Sequence, residues 1–221
     1  MLAKRSAIIT AAAFGALLAT AAGALAQDVN CSNTTLTGYI NGNVSVSNGS
    51  CSLAGVVVTG NVTVGQGANL AVYGQSIIGG NIQANNCGYV YLNGSTGFQD
   101  GNGPIIVGGN VQVQNCSTSS NPFGGRGPLR NLSFVWIGSF TSVPNNVLNG
   151  NLLCRNNFAC VLLDTVVSGN VQISDNADLN GSQISYNIIM GNLQCQGNTS
   201  VPTGGVNIVL GNEQGQCPPG F

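Results

Sequence analysis

Gly60-Asn61-Val62-Thr63-Val64-Gly65-Gln66-Gly67-Ala68-Asn69-Leu70-Ala71-Val72 runs on through Ile77-Ile78-Gly79 into a second Gly80-Asn81-Ile82, and this stretch decides the fold. A Gly-Asn pair opens an apolar-x-apolar segment, Val62/Val64. A Gly-rich turn follows, then a second segment at Leu70/Val72 and a third at Ile77-Ile78, before Gly-Asn returns 20 residues after its first appearance. Alternation at period two places Val62 and Val64 on one face, and no stretch after the leader follows a helical period. Three short strands per repeat fit one winding of a parallel β-solenoid.

The same anchor recurs at Gly42-Asn43-Val44, Gly109-Asn110-Val111, Gly150-Asn151-Leu152, Gly169-Asn170-Val171 and Gly191-Asn192-Leu193, and Gly211-Asn212 closes the series. The steps between the anchor asparagines are 18, 20, 29, 41, 19, 22 and 20 residues. Read as two windings, the step of 41 puts a degenerate anchor at Asn131-Leu132, where Arg130 replaces the glycine. The step of 29 then holds an insertion near residues 93–103. The expectation is an all-β fold, a single-stranded parallel β-helix of about nine coils of ~20 residues. Its windings place Asn43, Asn61, Asn81, Asn110, Asn131, Asn151, Asn170, Asn192 and Asn212 in one ladder, with amides about 4.8 Å apart and bonded up the stack. Gly and Asn suit such corners because they tolerate left-handed backbone angles, and the ladder satisfies polar groups that would otherwise be buried unpaired. Gly-Asn also marks hairpin turns in antiparallel sandwiches. Hairpins, however, do not demand the same face pattern after every turn at a constant spacing.

Outside the repeat, Lys4 and Arg5 precede an uncharged Ala-rich run from Ser6 to Leu25 that ends in Ala24-Leu25-Ala26. This reads as a signal peptide over residues 1–26, with the solenoid domain over 27–221. Kept in place, the same run is long enough to anchor the chain in a membrane. After cleavage no Lys remains, and Arg126, Arg130 and Arg155 face six acids. The predicted location is secreted, periplasmic or at the cell surface.

Eight cysteines follow the leader, an even number suited to an oxidising compartment. Cys87 and Cys116 each lie seven residues after an anchor glycine, so they should stack. Cys31 and Cys51 are 20 residues apart and Cys195 and Cys217 are 22, each roughly one winding. Cys154 and Cys195 share a register two windings apart, about 9.6 Å, which is too far for a bond. The predicted pairs are therefore Cys31–Cys51, Cys87–Cys116, Cys154–Cys160 and Cys195–Cys217.

Composition narrows the function. Of 221 residues, 33 are Gly and 30 are Asn, only 5% are charged and none is His. Phosphate neutralisation by Lys and Arg is unavailable, so nucleic acid is excluded as a partner, and so is histidine chemistry. A hydrophobic share of 43% excludes a highly charged disordered chain. The solvent-facing residues at the centre of the anchor strands are Ser45, Thr63, Gln83, Gln112, Ser133, Leu153, Gln172 and Gln194. This column is polar but lacks the regular threonines of an ice-binding face. Glycan cleavage needs two carboxylates across a cleft, and no two of Asp100, Asp164, Asp175, Asp178 and Glu213 share a repeat position. No catalytic residue, cofactor or metal is predicted. The weak metal candidates are Asp175 and Asp178 of the turn Asp175-Asn176-Ala177-Asp178, where Asp and Asn more simply bond their own backbone. A Gly/Pro-rich insertion near residues 117–130 carries Arg126 and Arg130 and is a candidate contact loop. Trp136 reads as core or wall packing.

Gly60-Asn61-Val62-Thr63-Val64-Gly65-Gln66-Gly67-Ala68, with Gly79-Gly80-Asn81-Ile82, resembles the repeats of bactofilins. Bactofilins are bacterial β-helix proteins that polymerise end to end, so the resemblance implies a scaffold role. The chain departs from that pattern in its leader and its eight cysteines; bactofilins are generally cytoplasmic. Two classes of function follow. One is a non-enzymatic exported structural or adhesive rod that self-associates. The other is an extracellular glycan-binding module, with a polysaccharide-active enzyme behind it. Cys217-Pro218-Pro219-Gly220 reads as a cap on the C-terminal end, because proline removes strand donors.

Overall fold

The computed structural model describes residues 26–94, 103–116, 134–138, 146–177 and 182–217. The described residues are all-β, and every strand pairing is parallel. One sheet has nine strands, each paired with its equivalent in the repeats before and after. It runs from Val29–Asn30 through Val44–Val46, Val62–Val64 and their successors to Glu213–Gly215.

The second sheet of 14 strands is two columns joined by one long strand, Ser50–Val58. Its first half pairs with Asn69–Tyr73 and its second half with Ile77–Ile78. The chain thus visits three walls in turn: the nine-stranded sheet, the column containing Asn69–Tyr73, and the column containing Ile77–Ile78. Short Val- and Ile-rich strands suit this, because branched side chains pack well on a pleated surface. The buried–exposed–buried pattern of Val62–Val64 shows the alternation directly.

The core lies between the walls, in registered columns. Val44, Val62, Ile82, Val111 and Leu152 stack on the first wall, each at most 1% exposed. Val72, Leu92, Ile137 and Leu162 stack on the second wall, and Ile78, Val107, Leu148 and Val167 on the third. All of these are buried.

The step of 41 residues is one repeat, not two. Val111 pairs directly with Leu152, and Asn110 bonds directly to Asn151. Between them, Phe134–Gly138 sits on the second wall against Tyr89–Asn93, and Asn146–Leu148 on the third against Ile105–Val107. Asn131 lies outside the described residues, and the row leaves no step for it to fill. Two extra segments in one repeat mimic a doubled period, and Leu132-x-Phe134 mimics the anchor's alternation. The missing glycine at Arg130 was the contrary sign. Residues 95–102, within the expected insertion near 93–103, and residues 117–133, which include the other, also lie outside the described residues.

Candidate functional site

The anchor asparagines form a continuous row. The Asn43 side-chain oxygen accepts from the backbone N–H of Asn61 (2.8 Å) and from its side-chain amide (3.3 Å). The same two bonds link Asn61 to Asn81, Asn81 to Asn110, Asn110 to Asn151, Asn151 to Asn170, Asn170 to Asn192 and Asn192 to Asn212. Asp28 heads the row, accepting from both nitrogens of Asn43. Gln27-Asp28-Val29 is a Gly-Asn-Val anchor with both polar letters changed, and the 15-residue gap to Asn43 hid it.

Two expectations about this row need correction. It lies on the surface, with its members exposed or half-buried, so it does not rescue buried groups. Nor do its residues need left-handed angles: apart from Gly42, no anchor Gly or Asn has a positive φ. Close approach is what demands glycine. A Cβ on Gly80 would sit 2.5 Å from the Asn61 oxygen and 2.7 Å from the Gly60 carbonyl oxygen. Left-handed residues fall instead at the next corner, at Asn86, Asn115, Asn156 and Asp175 with φ of 50–56°, and at the corner before the third wall, at Gln75, Asp164, Tyr186 and Val206 with φ of 47–59°.

The buried amides are in rows that the sequence reading missed. Asn176 accepts from the backbone N–H of Asn157 (3.0 Å), and Asn198 accepts from that of Asn176 (3.1 Å). Gln216 ends the row, accepting from the Asn198 N–H at 2.7 Å. The side-chain amides of Asn157, Asn176 and Asn198 donate inward to the carbonyls of Val113, Cys154 and Ile173. A second row joins the buried Thr165 and Asn187 to the half-buried Asn207 at the corner before the third wall. Their signal was available: Asn157, Asn176 and Asn198 all lie seven residues after an anchor glycine, as Cys87 and Cys116 do.

The structure brings the cysteines together as Cys31–Cys51, Cys87–Cys116, Cys154–Cys160 and Cys195–Cys217, with Cα–Cα separations of 4.4–6.3 Å. Cys154 and Cys195 have Ile173 between them in register. Four such pairs are consistent with an oxidising environment.

Outside the core, each wall presents a different chemistry. On the first wall Ser45, Thr63, Gln83 and Gln112 are in register, and the column continues through Leu153, Gln172, Gln194 and Gln214. A shallow groove of about 420 Å³ runs along its first tiers, lined by Asp28, Asn43, Ser45, Thr63 and Gln83 among others. On the second wall Ala71, Tyr91 and Trp136 form an outward column. Tyr73 meets Tyr91 edge-on at 6.0 Å, and Tyr91 meets Trp136 at 6.3 Å. Burial, reinforced by the neighbouring Tyr73, pushes the Tyr91 hydroxyl up to about 12, against a hydrogen bond from Asn93 that lowers it. Trp136 is 9% exposed, which is wall packing rather than an open platform. The third wall is aliphatic, with Val57, Ile77, Ile106, Val147, Val166 and Ile188 in register.

The charged candidates do not converge. Asp175 pairs with Arg155 at 3.1 Å, both side chains about half exposed. Its turn partner Asn176 is committed to the buried row. Asp178, Arg126, Arg130 and Ser133 lie outside the described residues, as do residues 1–25. Among the described residues, no three His, Cys, Asp or Glu cluster as a metal site, and no helix is long and apolar enough to cross a membrane. No protein-family model, curated protein or solved structure matches the chain.

Proposed function

We propose that the protein is a non-enzymatic, exported structural or adhesive rod: a single-chain parallel β-solenoid, cleaved from its leader and working at the cell envelope or outside the cell through self-association. The observation that carries this reading is the unbroken row from Asp28 to Asn212, in which every step is held by two hydrogen bonds and a registered strand pair. Hydrogen bonds repeated along one axis, with disulfides tying neighbouring segments, give stiffness along that axis rather than a site at one point. The likeness of the repeat to bactofilins points the same way. The test is to purify the mature chain and measure its mass by light scattering and its shape by small-angle X-ray scattering. An elongated particle that associates with rising concentration supports the reading, and a compact monomer overturns it.

The polar groove beside Asp28, Ser45, Thr63 and Gln83 favours a second reading, an extracellular glycan-binding module. Apart from the Asp28 carboxylate at its end, the groove offers uncharged amides and hydroxyls on a flat strand array, which can bond sugar hydroxyls. A glycan array in which a monomeric wild type binds, and a Thr63→Ala/Gln83→Ala variant does not, would select it over the rod.

A further inference from the structure

We propose that the third wall is the surface by which two copies of this chain pair, face to face and side by side, across a twofold axis parallel to the stack. This rests on the self-association reading above and names the face that does it. The outward column there is Val57, Ile77, Ile106, Val147, Val166 and Ile188, closed by Tyr39 at one end and Ile208 at the other. Eight tiers in register contribute no charge and no polar side chain other than the Tyr39 hydroxyl. Tyr39 is 69% exposed, Ile77 40% and Ile208 56%, and Val57, Ile106, Val147, Val166 and Ile188 are half-buried between them.

The first wall shows what an ordinary solvated column looks like in this chain, Ser, Thr and Gln, so the aliphatic choice on the third is not imposed by strand propensity. Seven steps of about 4.8 Å give a stripe about 34 Å long, and at about 15 Å wide it offers roughly 500 Å² per copy. The pair would bury about 1,000 Å², the threshold for a specific interface, with the aliphatic column along its centre and polar residues along much of its rim.

Orientation follows from where the flanking apolar residues sit. Tyr186 and Val206 lie on one side of the column at its C-terminal end and Met190 and Leu210 on the other, each at least half exposed. With the twofold along the stack, Met190 faces the tier of Tyr186 in the second copy, and Leu210 faces that of Val206. Running the copies in opposite directions would set Met190 and Leu210 against the tiers of Thr59 and Asn41, apolar against polar. A second copy in the parallel arrangement matches apolar to apolar, and its closed symmetry ends the assembly at two.

In the parallel arrangement Ile188 faces itself across the axis, which gives a direct test. Ile188→Glu and Ile188→Lys chains are made separately and their masses followed by light scattering, with circular dichroism to check the fold. Wild type is expected to be a dimer and each variant a monomer, while an equimolar mixture recovers the dimer, because only the mixture sets Glu against Lys. Leu210→Glu, at a side chain 68% exposed, is expected to weaken the dimer at least about tenfold without touching the core. If the wild type dimerises and the variants do too, the third wall is not the interface, although self-association stands. If the mixture fails to recover the dimer, the parallel twofold is wrong. A wild type that stays monomeric at high concentration overturns both this inference and the rod reading.

Discussion

Residues 26–116 and residues 146–217 close the same corner with opposite chemistry. In the earlier region the corner after the first wall holds Cys87 and Cys116, stacked and bonded to each other. In the later region the equivalent places are Asn157, Asn176 and Asn198, a buried amide row. The two solutions meet where the backbone N–H of Cys116 donates to the Asn157 side chain at 3.0 Å. The corner ahead of the third wall changes less sharply: Val56 and Ile105 flank the buried Ser76, whose hydroxyl accepts from the Val56 N–H, and the later tiers are polar throughout, at Asn146, Thr165 and Asn187. A buried corner leaves backbone donors that need partners. A covalent link holds two tiers whatever lies beyond them, whereas an amide is useful there only if the next tier supplies another. The amide solution is therefore cooperative along the stack and the disulfide is local.

The largest expected effect breaks the covalent side. Replacing Cys87 and Cys116 together with Ala releases a loop closed across 29 residues and is expected to cost about 3–4 kcal/mol in urea denaturation. Next is the amide side. Asn176→Leu removes the acceptor of the Asn157 N–H and the donor to the Cys154 carbonyl, both buried, and is expected to cost about 2–3 kcal/mol. Hydrogen exchange should then quicken at Asn157 and its neighbours in the row, while the tiers around Cys87 keep their protection. A uniform change would show that the two regions unfold as one unit. Asn81→Ala removes the same kind of side chain from the surface row, where water replaces the lost bonds, and is expected to cost about 0.5–1 kcal/mol. Equal losses at Asn81 and Asn176 would show that burial does not set the difference.

The smallest effect is invisible at neutral pH. The fold raises the Tyr91 hydroxyl to about 12 from its ordinary 10, so it favours the neutral phenol. The stability this gives is fully present below pH 10, and it falls as pH rises towards about 12 and the unfolded chain ionises first. An ultraviolet titration of the folded protein should show Tyr91 ionising last, with Tyr89, also raised by burial, late as well, and Tyr91→Phe should remove the latest phase.

Much of this was legible in the sequence because the information was periodic. Val62-Thr63-Val64 and its copies announce one buried face and one exposed face. Cysteines at equal distances from successive anchors predict the Cys87–Cys116 pairing that the structure shows. The errors came where a period can be imitated. Asn131 fits the ladder on spacing alone because two insertions in one repeat add up to the length of another repeat. A surface row passes for a buried one because sequence spacing records that asparagines stack but not on which side of the wall. The candidate surfaces were less legible. The third-wall strands were recognised as strands, but with two or three residues each, such as Ile77–Ile78, their inward and outward members could not be told apart.

What the sequence determined by itself is the repeat and everything local to it: strand, turn, strand, the inward valines and isoleucines, and the partners of the cysteines. Those follow from the two-residue alternation of a strand and the reach of a disulfide, which act between neighbours in the chain or in the period. The tertiary structure alone decided the number of windings between Asn110 and Asn151, the exposure of each asparagine row, and the joining of single residues from eight repeats into one aliphatic wall. These depend on how far apart in sequence two residues can lie and still stack, a distance that insertions change without altering any local pattern.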